Sequence, residues 1–524
     1  MTWSLETSNG FESDKIAALV VPYTRGVGLD IGCGMRRCWP HMIGVDSGHH
    51  FGARSDASVR GEGDDLSMFA DGSMDFVFSS HLLEHFPREK VPAVLAEWAR
   101  ALKVGGHLVL YVPSANLYPR VGELGANPDH KWDIHPGDIE EILEGGAWTQ
   151  LECEERDGTN EYSLFLVFRK EDPERMYGVS RTPWGRNPGG KKRCLVIRYG
   201  AIGDQIMVSS ILPELKKQGW HVTYNTTPDA QQILLHDPNI DEWLLQDKDQ
   251  VPNEQLGPYW DQIAERYDKV INLCESIEKR LLATADTIED RMNDDARRRI
   301  LGNVNYLERT HDLAGVPHAF HSKFYPSDLE RVQAEHFKRQ AGGPVVLWTI
   351  NGSSNHKVYP FTNTVIRWLL DRTPARIVLT ADPGIGKVLQ DAIMETLATD
   401  GADMKRIWGV AGIWPIRQAL AFAQVADVVV GPETGVLNAV ALDKVPKVIY
   451  LSHSSATNLT KHWRSARTIT PPPSVGCHPC HRLHYDWSRC HKSEATGAAL
   501  CASEIKPEGL FRAIAMSLGA MKGS

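Results

Sequence analysis

Short runs of apolar residues alternate with longer amphipathic stretches along nearly the whole chain. Runs such as Val345-Val346-Leu347-Trp348 suit strands that are buried on both faces, and the stretches between the runs have the spacing of helices that cover a sheet. The alternation predicts an α/β fold of parallel sheets wrapped by helices. At about 150 residues per domain, the 524 residues allow roughly three and a half domains.

The alternation is interrupted clearly at residues 170–193, where three prolines, four glycines and seven basic residues show neither strand nor helix periodicity. We therefore predict a linker at residues 170–193, preceded by one domain at residues 1–169. A second boundary is predicted near Gly343, just before the apolar run at Val345. The two later domains are expected to span residues 194–343 and 344–524.

Composition narrows the class of protein. Charged residues make up 23% and hydrophobic residues 42% of the chain, no apolar run reaches a membrane span, and the N-terminus lacks a signal peptide. Nine mostly isolated cysteines suit a reducing compartment. We expect a soluble cytoplasmic protein. A net charge of −9 makes nucleic acid a less favoured partner, although Lys191, Lys192 and Arg193 keep a local basic groove open.

The first predicted domain opens with an apolar strand that runs into a glycine turn, DIGCG at residues 30–34. Glycines at such a turn let the backbone approach a ligand closely. A second strand ends at Asp46, where an acid is placed to accept hydrogen bonds from ribose hydroxyls, and two more acids, Asp64 and Asp65, precede the strand at Met74. The ordered series indicates a nucleotide-like cofactor more strongly than one G-x-G would.

These segments, together with HLLEHF at residues 81–86, resemble class I S-adenosylmethionine-dependent methyltransferases over roughly residues 25–170. The resemblance implies S-adenosylmethionine as cofactor. It places Asp30, Gly32, Cys33 and Gly34 around the methionine part, Asp46 at the ribose, and Asp64 or Asp65 at the adenine edge. The usual third glycine is replaced, since Met35 follows Gly34. An inactive methyltransferase fold that serves as a scaffold therefore stays an alternative.

The methyl acceptor is only partly readable. The strand at Met74 is followed by Ser79-Ser80-His81-Leu82, without the Asn/Asp-Pro-Pro-aromatic motif or the Pro-Cys pair of nucleobase methyltransferases. Transfer to a hydroxyl or carboxyl is favoured, and a hydroxyl needs a base. The candidate bases are His81, His85, His130 and His135. The structural alternative is that Glu84 and His85 cap or pack a helix.

The second half repeats the arrangement of strand, glycine loop and helix start at residues 194–204, ending in Asp204. A carboxylate at a helix N-terminus is held ionised and could act as a general base, although a plain capping acid is the common alternative. A buried strand at residues 426–431 then leads into Glu433-Thr434-Gly435 at a helix start, an arrangement that favours phosphates. Ser353, Ser354 and Lys357 follow another strand and could meet a diphosphate.

Residues 194–515 resemble glycosyltransferase family 9, the heptosyltransferase-like sugar transferases. The resemblance implies two Rossmann-like lobes (the GT-B architecture), a nucleotide-sugar donor on the C-terminal lobe, and inverting transfer without a catalytic metal. It makes Asp204 the general base. It assigns the donor to Ser353, Ser354, Lys357, Glu433, Thr434, Gly435 and Asn438. Glu433 stands where Asp is commoner and Asn438 where His is usual, which puts heptose itself in doubt.

Four of the nine cysteines fall within 25 residues near the end of the chain: Cys477, Cys480, Cys490 and Cys501. The C-x-x-C spacing of the first pair is good for a metal, and the spacing of the second pair is looser than usual. A structural zinc ion is favoured over reduced cysteines and over disulfides. A catalytic zinc is disfavoured because four cysteines leave no open position.

The chain is thus interpreted as three Rossmann-like domains that form a bifunctional transferase. One reaction moves a sugar from a nucleotide sugar to an acceptor hydroxyl, and the other methylates a glycan-like or glycosylated product. The alternatives are a glycosyltransferase whose methyltransferase-like domain only binds the acceptor, and a non-catalytic binding or assembly protein. The acceptor classes left open are an envelope glycan, a lipid-linked sugar, a surface protein and modified DNA.

Overall fold

The structure is a computed structural model, and it describes residues 11–48, 56–173, 178–181, 190–276, 292–301, 304–484 and 486–519. The strands are β1 (Gly28–Ile31), β2 (Ile43–Asp46), β3 (Val59–Arg60), β4 (Met74–Ser80), β5 (Leu102–Pro113), β6 (Ala147–Arg156), β7 (Ser163–Lys170), β8 (Gly178–Arg181), β9 (Arg193–Ile197), β10 (His221–Thr226), β11 (Glu242–Leu245), β12 (Lys269–Asn272), β13 (Val345–Thr349), β14 (Arg376–Thr380), β15 (Ile407–Gly409), β16 (Val428–Gly431), β17 (Lys447–Tyr450) and β18 (Ala466–Ile469). The α-helices are Ala17–Val20, Val91–Ala101, Asp138–Leu143, Ile202–Ser209, Leu212–Lys217, Pro228–Leu234, Leu256–Ala264, Asp294–Leu301, Tyr306–Ala314, Asp328–Ala341, Thr362–Arg372, Ile385–Thr399, Ile416–Ala423, Gly435–Ala439, Leu500–Glu504 and Pro507–Ser517. The 3-10 helices are Glu12–Ile16, Val21–Tyr23, Leu83–His85, Asn253–Gln255, Asn355–Lys357 and Met404–Arg406.

The chain divides into two compact units. The first combines Met1–Lys192 with Leu244–Lys269, and the second combines Arg193–Trp243 with Val270–Ser524. The start of the second unit coincides with the end of the predicted linker. Leu244–Lys269, which the sequence placed in the second predicted domain, packs instead with the first unit.

Hydrogen bonds explain this placement of Leu244–Lys269. The side-chain amide of Gln250 donates to the backbone oxygens of Val21 and Thr24, at 2.8 and 2.9 Å. Arg266 donates to Glu152 at 3.1 Å, and Arg25 pairs with Asp247 at 2.9 Å. These contacts join residues more than a hundred positions apart, which no local pattern reveals.

The first unit contains an eight-stranded sheet in the order β3-β2-β1-β4-β5-β7-β6-β8. β7 runs antiparallel to β5 and β6, and the other pairs are parallel. The strand order reverses between β1 and β4. In open α/β sheets, ligands bind at such a reversal, outside the carboxyl ends of the strands.

The predicted linker is not irregular throughout. Within residues 170–193, β8 pairs in parallel with the start of β6, from Ala147↔Gly178 to Gln150↔Arg181. A strand of four residues at a sheet edge needs no alternating pattern of its own, because backbone hydrogen bonds alone attach it.

The second unit contains a four-stranded sheet in the order β11-β10-β9-β12 and a six-stranded sheet in the order β15-β14-β13-β16-β17-β18. All neighbours in the larger sheet are parallel, and β13 and β16 are buried along their full length. The order reverses beside β9 and again between β13 and β16. The predicted α/β fold with three parallel-dominated sheets is thereby confirmed. Within the described ranges, we find no helix with the length and apolarity to cross a bilayer.

Candidate functional sites

The glycine turn after β1 is shaped by two left-handed residues, Gly32 (φ +75°) and Gly34 (φ +57°). The N–H of Gly32 donates to the backbone oxygen of Val45, which fastens the turn to β2. A Cβ on Gly32 would lie 2.9 Å from Leu82, whereas a Cβ on Gly34 would meet nothing within 4 Å. Leu82 therefore packs against one side of the turn, and Gly34 faces open space in which a ligand can approach the backbone.

Two buried acids accept hydrogen bonds from backbone N–H groups in and beside this turn. Asp46 accepts hydrogen bonds from the N–H groups of Gly34 and Gly48, at 3.0 and 2.7 Å, and is buried. Asp30 is 2% exposed and accepts one hydrogen bond, from the N–H of Cys38 at 2.7 Å. Burial raises the pKa of Asp30 to about 7. Both acids shape the loop that presents the glycines.

The other predicted cofactor residues lie around this turn. Cys33 is buried, and burial raises the pKa of its thiol well above the ordinary value. Asp64 and Asp65 are exposed on the loop before β4, where Asp65 accepts a hydrogen bond from the N–H of Ser67. Gly63 is packed more tightly, because a Cβ there would lie 3.0 Å from Leu82.

β4 ends beside the glycine turn, and His81 follows it in the left-handed region (φ 51°). The ring nitrogen Nε2 of His81 lies 3.0 Å from the Ser163 hydroxyl, and Nδ1 lies 3.5 Å from Glu84 Oε1. Burial, with Lys15 nearby, lowers the pKa of His81 to about 3. His81 is therefore neutral and held in a fixed orientation.

Glu84, His85 and His130 form a compact group in which one ligand atom from each residue lies within 4.8 Å of the others. Glu84 is 0% exposed, and neither of its carboxylate oxygens has a hydrogen-bond partner. His130 Nε2 lies 3.7 Å from Glu84 Oε1, and the rings of His85 and His130 meet edge to face at 5.1 Å. Burial raises the pKa of Glu84 to about 8. His135, the fourth predicted base, is exposed.

In the second unit, Asp204 lies in the first turn of the helix Ile202–Ser209, where its carboxylate accepts from the N–H of Ala201 at 3.2 Å. It also pairs with Arg198, whose Nη2 lies 3.2 Å from Asp204 Oδ2. Arg198 is only 1% exposed and also donates to the backbone oxygen of Leu273. Sequence reasoning missed Arg198, although an arginine at the end of an apolar strand was a usable signal.

Lys357 follows β13 and is buried, with its ammonium 2.8 Å from the backbone oxygen of Glu433 and 3.5 Å from the hydroxyl of Ser353. Burial lowers the pKa of Lys357, and the carboxylates of Glu433 and Asp204 oppose that shift. The hydroxyls of Ser354 and Thr434 are buried without a hydrogen-bond partner. Cationic and hydroxyl groups with unused capacity thus gather between β13 and β16.

Glycines allow two helix starts to meet at this place. A Cβ on Gly435 would lie 2.5 Å from Ile202 and 3.2 Å from the backbone nitrogen of Gly203, and a Cβ on Gly203 would lie 2.9 Å from Asn438. The helices Ile202–Ser209 and Gly435–Ala439 can therefore approach closely only with glycine at both positions. The contact brings Asp204 to the loop that contains Thr434.

The carboxylate of Glu433 is fully engaged within the fold. It accepts hydrogen bonds from the N–H groups of Ser452, His453 and Ser454, and from the Ser452 hydroxyl. Glu433 is 6% exposed. It therefore organises the loop after β17, a role that sequence reasoning missed because the partners lie about twenty residues further along the chain.

The terminal cysteines converge on one cavity. Its lining includes Cys477, Cys480, Cys490, Cys501, His356, Ser452 and His484. Cys480 Sγ lies 3.6 Å from His484 Nε2, and burial raises the pKa of Cys480 to about 12 and that of Cys490 to about 11. Among the described residues, the ligand atoms of Glu84, His85 and His130 lie within 4.8 Å of one another. No three of the terminal cysteine sulfurs and neighbouring ligand atoms lie that close together among those residues.

Comparisons with solved structures return sugar transferases for most of the chain. One is a glycosyl transferase family 9 protein from Veillonella parvula (16% identity, 63% of this chain and 98% of that chain, TM-score 0.46). Another is the ADP-heptose lipopolysaccharide heptosyltransferase II of E. coli (15% identity, 63% and 99%, TM-score 0.44).

Other comparisons concern methyltransferases. A Burkholderia thailandensis 1,6-didemethyltoxoflavin-N1-methyltransferase with bound S-adenosylhomocysteine is 19% identical over 30% of this chain and 77% of that chain, with a TM-score of 0.24. No curated protein matches the sequence. The family described as a methyltransferase domain matches residues 27–110, which include β1, β2 and β4. The prediction of a methyltransferase domain is confirmed to this extent: residues 27–110 match the model of that domain.

Proposed function

We propose that the chain is a bifunctional transferase: the second unit transfers a sugar from a nucleotide-sugar donor to an acceptor hydroxyl, and the first unit methylates a glycan-like or glycosylated product. The observation that carries the sugar-transfer part is the group around Lys357. The buried ammonium lies 2.8 Å from the backbone oxygen of Glu433, the residue before Thr434. The hydroxyls of Thr434 and of Ser354 are buried without hydrogen-bond partners, and Asp204 lies in the first turn of the helix Ile202–Ser209.

Each of these groups has a part in the proposed sugar transfer. Asp204 takes the proton of the acceptor hydroxyl as a bond forms between that oxygen and C1 of the sugar. The bond from C1 to the phosphate oxygen breaks, and its electron pair leaves with the nucleotide diphosphate. Lys357 stabilises that charge, with Ser353, Ser354 and Thr434 donating hydrogen bonds.

The remaining donor residues act through the backbone in this proposal. Gly435 admits the close contact with Ile202, and Asn438 donates to the backbone oxygen of Thr434 at 3.1 Å. Glu433 positions the loop Ser452–Ser454 beside the donor rather than contacting the sugar, because its oxygens already accept four hydrogen bonds.

In the first unit, S-adenosylmethionine is proposed to bind over Gly32, Cys33 and Gly34, with Asp30 and Asp46 supporting the turn and Asp64 or Asp65 near the adenine. The match of residues 27–110 to a methyltransferase domain supports this cofactor. The residues fit it, because Gly34 faces open space at the reversal of strand order. The cofactor supplies an electrophilic methyl group. His81, His85 and His130 line the side on which a hydroxyl acceptor would be methylated.

The methyltransferase part is tested by calorimetric titration of the full chain with S-adenosylmethionine. We expect Asp46→Ala to weaken binding by about 10- to 100-fold, since two hydrogen bonds to a charged group that shape the turn are lost. Asp75→Ala is the matched control, because Asp75 also accepts from a backbone N–H, that of Val27, at the opposite end of the sheet. A wild-type chain that binds no cofactor would leave the first unit as a scaffold.

The glycosyltransferase part is tested by donor hydrolysis and transfer with a panel of nucleotide sugars. Asp204→Asn is expected to lower kcat by about 100- to 10,000-fold, with little effect on donor affinity, because a general base is removed. Asp229→Asn is the control, since Asp229 is an exposed acid in the first turn of another helix of the same unit. Wild-type protein that neither binds nor hydrolyses any donor would favour a binding or assembly protein.

A structural metal at the terminal cysteines is also proposed, with zinc as the ion. Four thiols on one cavity, with His484 beside Cys480, form a donor set that zinc prefers. The zinc content of purified protein should fall by one ion per chain in Cys480→Ser and stay unchanged in Cys153→Ser, where the cysteine is exposed. Equal zinc content in both variants would contradict the site.

A further inference from the structure

We infer that Glu84, His85 and His130 bind a divalent transition-metal ion of the zinc class beside the methyl-transfer site, with an open position for a hydroxyl of the acceptor. The inference rests on the proposed methyltransferase function, and it adds to that function a metal ion that would bind and activate the acceptor hydroxyl. It is distinct from the cysteine site, which lies in the other unit and would use sulfur ligands.

The spacing of the donor atoms supports a metal. One ligand atom from each of the three residues lies within 4.8 Å of the others, and His130 Nε2 is 3.7 Å from Glu84 Oε1. Ligands on a tetrahedral zinc ion at about 2.1 Å from the metal are about 3.4 Å apart. The group therefore needs only a small contraction to surround an ion.

The carboxylate of Glu84 supplies the second observation. It is 0% exposed, and neither oxygen has a hydrogen-bond partner. A buried carboxylate is normally hydrogen-bonded, paired with a cation or bound to a metal, because desolvation otherwise opposes its charge. Two imidazoles and one carboxylate around such a group form a common ligand set for zinc and for iron(II).

The backbone holds the ligands in place before any ion arrives. Glu84 and His85 belong to the short helix Leu83–His85, directly after β4. The N–H of Lys131 donates to the backbone oxygen of Glu84 at 2.8 Å, and the indole of Trp132 donates to that of Leu83 at 3.3 Å. The loop that contains His130 is thus pinned to the helix that contains the other two ligands.

The position of the group connects it with methyl transfer. Leu82, two residues before Glu84, packs against Gly32 of the cofactor turn. Three protein ligands leave a fourth position on the ion for an acceptor hydroxyl, whose pKa the ion would lower. The hydroxyl then releases its proton to water. Its oxygen forms a bond to the methyl carbon as the bond from that carbon to sulfur breaks, and the electron pair stays on sulfur.

Cobalt(II) titration of the full chain, followed by absorption spectroscopy, tests the site. Cobalt with nitrogen and oxygen ligands gives visible d–d bands, whereas cobalt at the cysteines adds a near-ultraviolet thiolate charge-transfer band. We expect wild-type protein to show, besides the thiolate component of the cysteine site, a second visible component that grows without adding to the thiolate band and is displaced by Zn²⁺. Glu84→Gln and His130→Gln should each weaken this component at least 10-fold, and His41→Gln, which changes a histidine on another loop, should not.

The two substitutions keep the result interpretable, because Glu84→Gln preserves shape and His130→Gln removes a different ligand if the first variant fails to fold. Cobalt binding that shows only the thiolate component, or that is unchanged in both variants, would overturn the site and leave a proton-sharing carboxylate and imidazole group. Calorimetry with S-adenosylmethionine on the same samples separates the two proposals. Cofactor binding without the visible cobalt component refutes only the metal site. The visible cobalt component without cofactor binding refutes only the methyltransferase.

Discussion

Two buried glutamates, one in each unit, differ in how their carboxylates are used. Glu84 is 0% exposed and Glu433 is 6% exposed, and each follows a central parallel strand where the strand order reverses. Glu433 accepts four hydrogen bonds from residues 452–454, whereas Glu84 accepts none from the protein. Equal burial therefore hides opposite roles.

The difference teaches how to separate a structural acid from one that awaits a ligand. A carboxylate whose oxygens are saturated by backbone N–H groups contributes to the fold and has little capacity left for another partner. A buried carboxylate without such donors opposes the fold and is explained by what it binds. Asp30, with a single hydrogen bond from Cys38, lies between these extremes.

The largest effect is expected for Glu433→Ala. The substitution leaves three backbone N–H groups and the Ser452 hydroxyl without their acceptor, so the free energy of unfolding of the second unit should fall by about 4 kcal/mol. Denaturant unfolding followed by tryptophan fluorescence measures this. Glu433→Gln, which keeps one acceptor oxygen, should lose less. If the free energy of unfolding falls by less than it does for an average surface substitution, the loop Ser452–Ser454 is stable without Glu433.

Asp30→Asn should remove a pH dependence. The pKa of Asp30 is about 7 in the folded protein and 3.8 in its ordinary state, so the folded state keeps a proton that the unfolded chain has released. The stability of the first unit therefore decreases as pH rises from about 4 to 7, and at about 1.4 kcal/mol per unit Asp30 contributes roughly 3 kcal/mol of this fall between pH 5 and 8. Unfolding curves at pH 5, 6, 7 and 8 compare the two proteins. The difference between them isolates Asp30, and parallel curves would contradict the shift.

The sequence predicted what local patterns encode. The strands β1 and β2, the turn with Gly32 and Gly34, and the placement of Asp204 in the first turn of a helix all follow from short segments whose periodicity or turn chemistry is visible. The arrangement of parallel sheets followed from the alternation of apolar runs and amphipathic stretches. These features need no knowledge of distant contacts.

What the sequence could not predict depends on residues far apart in the chain. His130 meets Glu84 across 46 positions, and Gln250 reaches Val21 across 229. The four hydrogen bonds of Glu433 come from the loop Ser452–Ser454, about twenty positions further along the chain. In each case the side chain's partner is chosen by tertiary packing, which leaves no period or spacing in the sequence.

Glu84→Met tests the other side of the comparison. In metal-free protein, replacing an unsatisfied buried carboxylate by an apolar side chain of similar volume should raise the free energy of unfolding of the first unit by about 2 kcal/mol. The sign is opposite to that expected for Glu433→Ala. Addition of Zn²⁺ should raise the free energy of unfolding of the first unit in the wild type but not in the variant. If the variant is destabilised without metal, Glu84 has a stabilising partner within the fold and the contrast fails.

The smallest effect is expected for Ser452→Ala. This variant removes the hydroxyl that donates to Glu433 Oε2 but retains the three backbone donors, so the free energy of unfolding should fall by about 1 kcal/mol. Combining it with Glu433→Ala gives a double-mutant cycle, in which the serine substitution should cost almost nothing once the carboxylate is gone. An undiminished cost in that background would mean that Ser452 stabilises the loop independently. Glu433 would then organise the loop only through the three backbone N–H groups that donate to its carboxylate.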